Sequence, residues 1–330
     1  MTFWTVRRSG SRPDGRTPLT VALALVLGSS SAAFDAARPV NPLNGQRAYG
    51  YLEQICALGP RISGSEGMRQ QQQLVQAHFE KLGGKVSFQR FDATNPLGGA
   101  KVPMANLVCE WHPDRKERIL LCAHYDTRPL PDQDPDPVQQ RQGVFLGAND
   151  GASGVAVLME LAHLMPQLAG GVGVDFVLFD GEEFVYTEGR DKYFVGSEHF
   201  AKQYVAKPPD HKYRWGVLLD MVGDVNLSIY KEQQSQDWRD TRPLVKEIWA
   251  TAGKLGVDEF IPRVGYKVLD DHVPLRNIAK IPTCDIIDFD YPQWHTVADA
   301  PQRCSGTSLA KVGWVVYEWL RGQRSGVGGQ

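Results

Sequence analysis

The chain has 330 residues, of which 42% are hydrophobic and 22% charged, and its formal net charge is -2. This length permits one large α/β domain or two ordinary ones, and the hydrophobic content is sufficient for a sizeable core. A nearly neutral chain lacks the charge excess typical of proteins that bind nucleic acid or anionic membranes, so we expect neither partner. No fixed-period repeat or heptad pattern is present, which argues against solenoids and coiled coils.

The N-terminal segment has the composition of a secretory signal peptide. Arginines precede an apolar run over residues 19–27, and small residues follow, with Ser31 and Ala33 fitting the positions before a cleavage site. We expect residues 1–33 to be removed on export to the periplasm or the medium; a disordered tail or a single membrane anchor is the alternative. The run is too short to cross a bilayer comfortably, so we expect no stable membrane insertion. The arginines are Arg7, Arg8, Arg12 and Arg16.

Five cysteines are scattered along the chain without a CxxC pair. This spacing argues against a structural zinc cluster and against a fold built on disulfides. Export would allow disulfides, but the spacing does not reveal a pairing. We expect these side chains to lie in the core. They are Cys56, Cys109, Cys122, Cys284 and Cys304.

In chain order, helices are predicted first and strands follow. Residues 43–82 favour helices that are interrupted by GPRISGSEG at 59–67, and the second helix ends before Gly83 and Gly84. The polar turn HPDRKE separates the second and third strand-like runs and predicts a hairpin between them. The three runs are 86–91, 105–111 and 118–125.

The rest of the chain alternates strands with helices. The proline-rich segment 128–143 is predicted to be a surface loop. The alternation predicts a three-layer α/β/α fold, in which helices cover both faces of a mixed, mostly parallel sheet. No linker divides residues 34–325, so we expect a single domain there and a flexible tail at 326–330. The predicted strands are 174–180, 215–220 and 281–289, and the predicted helices are 153–165, 242–255 and 307–320.

Acidic residues and histidines collect where the predicted strands end. In open α/β sheets, ligands bind at the carboxyl ends of the strands. Carboxylates and imidazoles are natural ligands of Zn²⁺, so this collection predicts a metal site. The residues are His124, Asp126, Asp150, Asp180, Glu182, Glu183, Asp220, Asp270, Asp271, His272 and His295.

Each of these features also has a structural interpretation. His124 could lie in a solvated turn, Asp150 could cap the helix that follows it, and His295 could be an ordinary loop residue. Glu182 and Glu183 could be a solvated acidic pair, although neighbouring side chains diverge and one could hold a metal while the other faces a substrate. Together these interpretations require several coincidences, so we favour the metal site.

Six motifs together resemble the M28 family of zinc peptidases, and most closely its glutaminyl-peptide cyclotransferase (glutaminyl cyclase) branch. The resemblance covers about residues 48–321 and implies a zinc aminopeptidase-like fold for the domain. The motifs are HYD (124–126), GANDGASGVAVLMELA (147–162), DGEE (180–183), LLDMVGD (218–224), DDH (270–272) and WHT (294–296).

The resemblance to the cyclase branch rests on four details. Trp294 precedes His295, and the long segment 184–194 follows the glutamate pair. DDHVPL at 270–275 and NPLGGAKVPMANLV at 95–108 also resemble cyclase segments.

Three residues depart from the animal cyclases. Gly151 stands where they have Ser, Glu188 where they have a pocket Trp, and Asp285 where they have His. These departures put the specificity of the pocket in doubt and leave the implied zinc ligands unchanged.

The resemblance implies a role for each site residue. Asp150, Glu183 and His295 would hold one zinc ion per chain, and Glu182 would carry a proton between substrate groups. The implied reaction converts the N-terminal Gln of peptides or proteins to pyroglutamate and releases ammonia. Asp220 and Asp270 would hold the reacting groups by hydrogen bonds, and Trp294 would form a pocket wall.

Two other functions remain open. An M28 aminopeptidase would bind two zinc ions, with His124 and Asp220 completing the second site and Asp150 bridging the metals. A non-catalytic binding module typically loses metal ligands or the catalytic glutamate, and this chain retains them. The segment 184–194 and the WHT motif favour the cyclase. We expect a monomer, and Asp271 is either a partner of His272 or a site residue.

Overall fold

The computed structural model describes residues 39–324, and its centre is a mixed six-stranded sheet. The predicted signal peptide and the predicted tail at 326–330 lie outside the described residues. The strand order is β1-β2-β4-β3-β5-β8, and β6 and β7 form a separate parallel pair. The strands are β1 Lys85–Thr94, β2 Lys101–Trp111, β3 Glu117–His124, β4 Gly173–Phe179, β5 Lys212–Asp220, β6 Ile229–Lys231, β7 Phe260–Val264 and β8 Thr283–Ile287.

Helices cover both faces of the sheet. Within the described residues the α-helices are α1 Gly45–Cys56, α2 Glu66–Lys81, α3 Pro137–Gln142, α4 Ala152–Leu161, α5 Val195–Ala206, α6 Gln233–Asp237, α7 Arg242–Leu255, α8 His272–Asn277 and α9 Gly306–Gly322. All the helices and strands that the sequence predicts are present, with small shifts at their ends.

Successive side chains of the central strands point to opposite faces of the sheet and form two hydrophobic cores. Ile119 and Leu121 of β3 pack into the larger core with α1, α2, α4, α7 and α9, whereas Leu120 and Cys122 pack into the smaller core with α5 and α8. Successive side chains of a strand point to opposite faces, so a strand covered on both sides is apolar throughout. The predicted three-layer α/β/α fold with a mixed, mostly parallel sheet is confirmed.

The predicted hairpin between β2 and β3 is wrong. β2 pairs antiparallel with β1 and with β4, and β3 pairs in parallel with β4 and β5. β4 therefore lies between the two strands that the short polar turn connects. The true hairpin is β1–β2, in which Lys85 pairs with Glu110 and Thr94 with Lys101.

The segment 128–143 is not a free surface loop as predicted. Arg128 and Asp134 are buried, and part of the segment forms α3. The backbone N–H of Gln133 donates to the carbonyl oxygen of His295 at 3.1 Å, and Asp134 accepts from the backbone N–H of Val297 at 3.0 Å. These hydrogen bonds with residues far along the chain hold the segment against the His295 loop.

All five cysteines are buried free thiols, which confirms that they are core residues. Within residues 39–324, no helix combines the length and the apolar character that crossing a membrane requires.

Candidate active site

The predicted site residues meet at the carboxyl ends of the parallel strands. His124 and Asp220 are the last residues of β3 and β5, and Glu182 and Glu183 follow β4. The remaining members, Asp150 and His295, lie in the loop before α4 and in the loop after β8. The ends of parallel strands share one edge of the sheet, so elements distant in sequence deliver side chains to one place.

Asp150, Glu183 and His295 form one buried group, which we call the ligand group. Their donor atoms all lie within 4.8 Å of one another. His295 Nε2 lies 2.6 Å from Glu183 Oε1 and 3.5 Å from Asp150 Oδ2. Within residues 39–324, Asp150 Oδ2 accepts no hydrogen bond. Asp150 does not cap α4, because Gly151 occupies the cap position without a side-chain bond. The geometry therefore favours the metal-site interpretation of Asp150 over the capping one.

His124 joins a second buried group that shares Asp150. Its Nε2 lies 3.1 Å from Asp220 Oδ1 and 3.2 Å from Asp150 Oδ1. The donor atoms of His124, Asp150 and Asp220 also lie within 4.8 Å of one another. The structure thus brings together every residue that a two-metal site would require.

Glu182 and Glu183 diverge, as expected of neighbours in an extended turn. Glu183 reaches His295, whereas Glu182 Oε2 lies 3.9 Å from His124 Nδ1. Both side chains are buried. Glu182 therefore lies beside the ligand group and outside it.

The site carries more negative charge than its own cations balance. Burial, followed by the charge of Glu183, raises the pKa of Asp150 to about 7. Burial also raises the pKa of Glu182 and of Asp270 well above their ordinary values. Burial lowers the pKa of His295, but the charge of Glu183 and the hydrogen bonds to Asp132 and Glu183 together outweigh burial and raise the pKa to about 9. A bound cation would relieve this excess, and the carboxylate and imidazole donors fit Zn²⁺.

Two buried carboxylates accept hydrogen bonds from backbone N–H groups of the site and hold its loops in place. Asp126 accepts from the backbone N–H groups of Glu182 at 3.1 Å and Glu183 at 3.0 Å. Asp299 accepts from the N–H groups of Asn149 at 2.8 Å and Asp150 at 3.1 Å. The sequence placed Asp126 only at a strand end and did not indicate Asp299. The signal for Asp126 was its place in the HYD motif.

Arg128 and Asp132 connect two members of the ligand group. The backbone N–H of Arg128 donates to Glu183 Oε2 at 3.1 Å, and its guanidinium donates two hydrogen bonds to Asp132, at 2.9 and 2.6 Å. Asp132 Oδ1 in turn lies 3.1 Å from Nδ1 of His295. The sequence analysis missed both residues because they lie in the proline-rich segment, where only their i,i+4 spacing could have indicated a pair.

Gly151 is required by the backbone at its position. Its φ is +97°, which favours glycine, and a Cβ there would lie 2.7 Å from the carbonyl oxygen of Asp126. The departure from the animal cyclases at this residue therefore has a local steric reason in this chain.

A small cavity lies over the ligand group. The Trp294 ring stacks on His295 with centroids 3.8 Å apart, and Phe289 lies 5.3 Å from Trp294. Both acidic and apolar residues line the cavity, and half-buried Glu188 is not among them. The lining residues are Asp150, Glu182, Glu183, Asp220, Met221, Val268, Asp270, Ile287, Phe289, Trp294 and His295.

Two of the other strand-end residues have separate partners. Asp180 accepts from the hydroxyl of Ser63 at 2.7 Å and the N–H of Ala105 at 2.9 Å, so it joins the N-terminal segment to β2. Asp271 accepts from the hydroxyl of Ser197. His272 lies close to other carboxylates, those of Glu232 and Asp285, at 3.5 and 3.7 Å.

Comparison with known proteins identifies the family. The sequence profile of peptidase family M28 matches residues 106–320, which is more than half of the chain. The chain belongs to peptidase family M28. The match includes the ligand group and the glutamate pair, and the family predicted from the motifs is confirmed.

Several M28 relatives are glutaminyl cyclases. The chain is 42% identical to the glutaminyl cyclase of Fimbriiglobus ruber, with 87% of this chain and 100% of that one covered and a TM-score of 0.82. The glutaminyl-peptide cyclotransferase of Drosophila melanogaster is 23% identical over 73% of this chain and 70% of its own length. The predicted resemblance to the cyclase branch is therefore confirmed.

The same M28 fold also occurs in peptidases. A leucine aminopeptidase precursor from Bacteroides thetaiotaomicron is 31% identical, with 86% of this chain and 98% of that one covered and a TM-score of 0.80. The fold is therefore common to both enzyme types.

Proposed function

We propose that this chain is a zinc-dependent glutaminyl-peptide cyclotransferase, which converts the N-terminal Gln of peptides to pyroglutamate and releases ammonia. The observation that carries the proposal is that one small cavity contains the ligand group with a carboxylate and an aromatic ring beside it. One is the buried Glu182, and the other is the aromatic wall formed by Trp294. The similarity to glutaminyl cyclases supports the same function.

Asp150, Glu183 and His295 would hold one zinc ion, and Asp132 and Arg128 would keep the ring and the carboxylate oriented. Bound zinc supplies Lewis-acid polarisation of the γ-amide carbonyl of the substrate. A carboxylate that hydrogen-bonds to a metal-binding histidine, without touching the metal itself, commonly fixes the orientation of the ring.

The remaining residues act on the substrate. The α-amino nitrogen forms a bond to the γ-carbonyl carbon, and the bond from that carbon to the amide nitrogen breaks. Glu182 accepts a proton from the α-amine and delivers it to the departing nitrogen, which leaves as ammonia, so atoms and charge balance. Asp220 and Asp270 accept hydrogen bonds from the amine and the departing nitrogen. Trp294 and Phe289 exclude water, which would otherwise yield glutamate by hydrolysis.

An M28 aminopeptidase is the second candidate, because His124, Asp150 and Asp220 form a complete second group of donors. In that case His124 and Asp220 would help to hold a second zinc ion. Glu182 would then take a proton from water instead of from an amine.

One assay distinguishes these functions. Purified protein is incubated with Gln-β-naphthylamide and, separately, with Leu-p-nitroanilide, with and without a chelator. Chelator-sensitive release of ammonia with a pyroglutamyl product supports the cyclase, and free leucine with two zinc ions per chain supports the aminopeptidase. Inactivity towards both substrates in protein that binds no zinc would contradict both and favour a binding module.

The proposal includes export of the enzyme through the leader at residues 1–33. Expression in a bacterial host followed by intact-mass measurement of the periplasmic or secreted fraction should give a chain that begins near Phe34. Recovery of the full-length chain from the cytosol alone would contradict export and would leave the catalytic proposal unaffected.

A further inference from the structure

A second set of buried polar side chains lies next to the candidate active site and shares no residue with the ligand group. It consists of Asp270, His272 and Asp285, which we call the inner cluster, and their donor atoms lie within 4.8 Å of one another. Asp270 is 3% exposed, and His272 and Asp285 are 0% exposed. His272 begins α8 and Asp285 lies in β8, so packed elements hold the cluster.

Several atoms of the inner cluster are unpaired. Both carboxylate oxygens of Asp285, Oδ2 of Asp270 and both ring nitrogens of His272 have no hydrogen-bond partner among residues 39–324. Buried polar groups are almost always hydrogen-bonded, because an unpaired one loses its hydration without compensation. Five such atoms in one place indicate that the cluster binds something besides protein.

The spacing of the donors indicates what is bound. His272 Nδ1 lies 3.7 Å from Asp285 Oδ2. A direct hydrogen bond would be about 2.7–3.2 Å, and a water bridging the two atoms would separate them by roughly 4.5 Å. Two ligands at about 2.0–2.2 Å from one zinc-sized cation lie roughly 3.2–3.8 Å apart. The observed distance fits two ligands of a shared cation.

Glu232 is the carboxylate on the Nε2 side of the histidine ring. Its Oε2 lies 3.5 Å from Nε2 of His272, and its carboxylate accepts from the backbone N–H groups of Gln234 at 2.8 Å and Ser235 at 2.6 Å. Metal-binding histidines typically direct the second ring nitrogen to a carboxylate, which fixes the tautomer. The other ring nitrogen, Nδ1, faces Asp285 Oδ2 at 3.7 Å.

The local charge also favours a cation. Asp270, Asp285 and Glu232 are three buried carboxylates around a single imidazole. Burial, followed by the charge of Asp270, raises the pKa of Asp285 well above its ordinary value. Asp270 also lines the cavity of the candidate active site, so the inner cluster adjoins that cavity.

We propose that Asp270, His272 and Asp285 bind a divalent cation of the Zn²⁺ or Mn²⁺ class, separate from the ion assigned to the ligand group. An imidazole and two carboxylates suit these metals. The ion fixes the carboxylate of Asp270 at the wall of the cavity. The two-metal aminopeptidase arrangement does not account for it, because none of its donors belongs to the inner cluster.

Metal analysis of variants tests the proposal. Wild type, Asp285→Asn, Glu183→Gln and the control Asp288→Asn are loaded with Zn²⁺, dialysed, and measured by plasma mass spectrometry. Asp285→Asn should hold one ion fewer per chain than wild type and should keep the ion that Glu183→Gln loses. Asp288→Asn makes the same change in a buried carboxylate that binds the N–H groups of Ser228 and Asp290, and it should keep all ions.

Equal metal content in Asp285→Asn and wild type would overturn the proposal. If Asp285→Asn does not fold, anomalous diffraction from wild-type crystals soaked in Mn²⁺ decides the question. A peak between His272 Nδ1 and Asp285 supports the site, and a peak at the ligand group alone overturns it. Neither outcome depends on which reaction the enzyme catalyses.

Discussion

Glu182 and Glu183 are adjacent in the chain, yet their carboxylates have different surroundings. Glu183 lies 2.6 Å from His295 and accepts the N–H of Arg128, whereas Glu182 approaches His124 no closer than 3.9 Å. The backbone N–H groups of both residues donate to Asp126, which holds the turn that carries the two side chains. One glutamate can thus complete a metal site while its neighbour remains free for proton transfer.

Glu182→Gln removes the carboxylate to which we assign proton transfer and retains the shape of the side chain. We expect turnover of Gln-β-naphthylamide to fall by about 10²–10⁴-fold, because general acid/base catalysis contributes about that factor. Zinc content should equal that of wild type. The matched variant Glu183→Gln should lose both zinc and turnover, and undiminished turnover in Glu182→Gln would contradict the assignment.

Asp126→Asn tests the role of a carboxylate that the sequence analysis did not assign. An asparagine offers one acceptor and places its NH₂ group against a backbone N–H, so one buried donor loses its partner. We expect a loss of about 1–3 kcal/mol in the free energy of unfolding, together with reduced turnover. Urea denaturation measures the loss, and the exposed Asp114→Asn serves as the control. Equal stability of the two variants would contradict this role for Asp126.

At the scale of elements, the segment 128–143 has more than a connecting role. Composition predicts a solvated loop, but Arg128 pairs with Asp132, and Asp132 faces His295. His295 itself has a φ of +54°, a backbone conformation that a non-glycine residue adopts only when its surroundings hold it. The hydrogen bond from Gln133 to the carbonyl of His295 is one of these restraints.

Asp132→Asn should weaken zinc binding by about 10–100-fold, because the carboxylate that orients a metal-binding histidine is typically worth that factor. Competition with a fluorescent chelator measures the affinity. Asp136→Asn is the matched control, since Asp136 lies in the same segment and accepts from the N–H of Val138 at the start of α3. A similar loss in both variants would indicate a general effect on the segment.

At the scale of the whole molecule, a buried ion pair ties β3 to β4 at the end of the sheet opposite the site. Arg118 and Asp175 are 0% and 1% exposed, and the guanidinium also donates to the carbonyl oxygens of Trp111 and Val174. Removing one partner of such a pair leaves an uncompensated charge in the core.

The expectation that the chain acts as a monomer stays a prediction.

Asp175→Ala should lower the free energy of unfolding by about 3–5 kcal/mol. Glu66→Ala removes the partner of Arg69 in an exposed pair of 2.6 Å, and such pairs contribute about 0–1 kcal/mol. Thermal and urea unfolding of both variants measures the contrast. If both variants lost a similar free energy of unfolding, burial would not explain the contribution of the Arg118–Asp175 pair to stability.

Local chemistry made some elements predictable from the sequence. The helix predicted at 242–255 is α7, because Pro243 in its first turn and Gly256 at its end, with φ of +71°, define its limits. The strands buried on both faces were equally clear, since they are short apolar runs. Pairing was less predictable: a short turn favoured a β2–β3 hairpin, but hydrogen bonding to β4 separates those strands.

The amino-acid sequence by itself determined the donor types of the candidate site and their positions at the strand ends, because apolar runs and the polar residues after them are local features. Only the tertiary structure decided which donors converge. Strand order is set by hydrogen bonds between segments far apart in the chain, so the grouping of His272 with Asp285 and the support of His295 by Asp132 appear only in three dimensions.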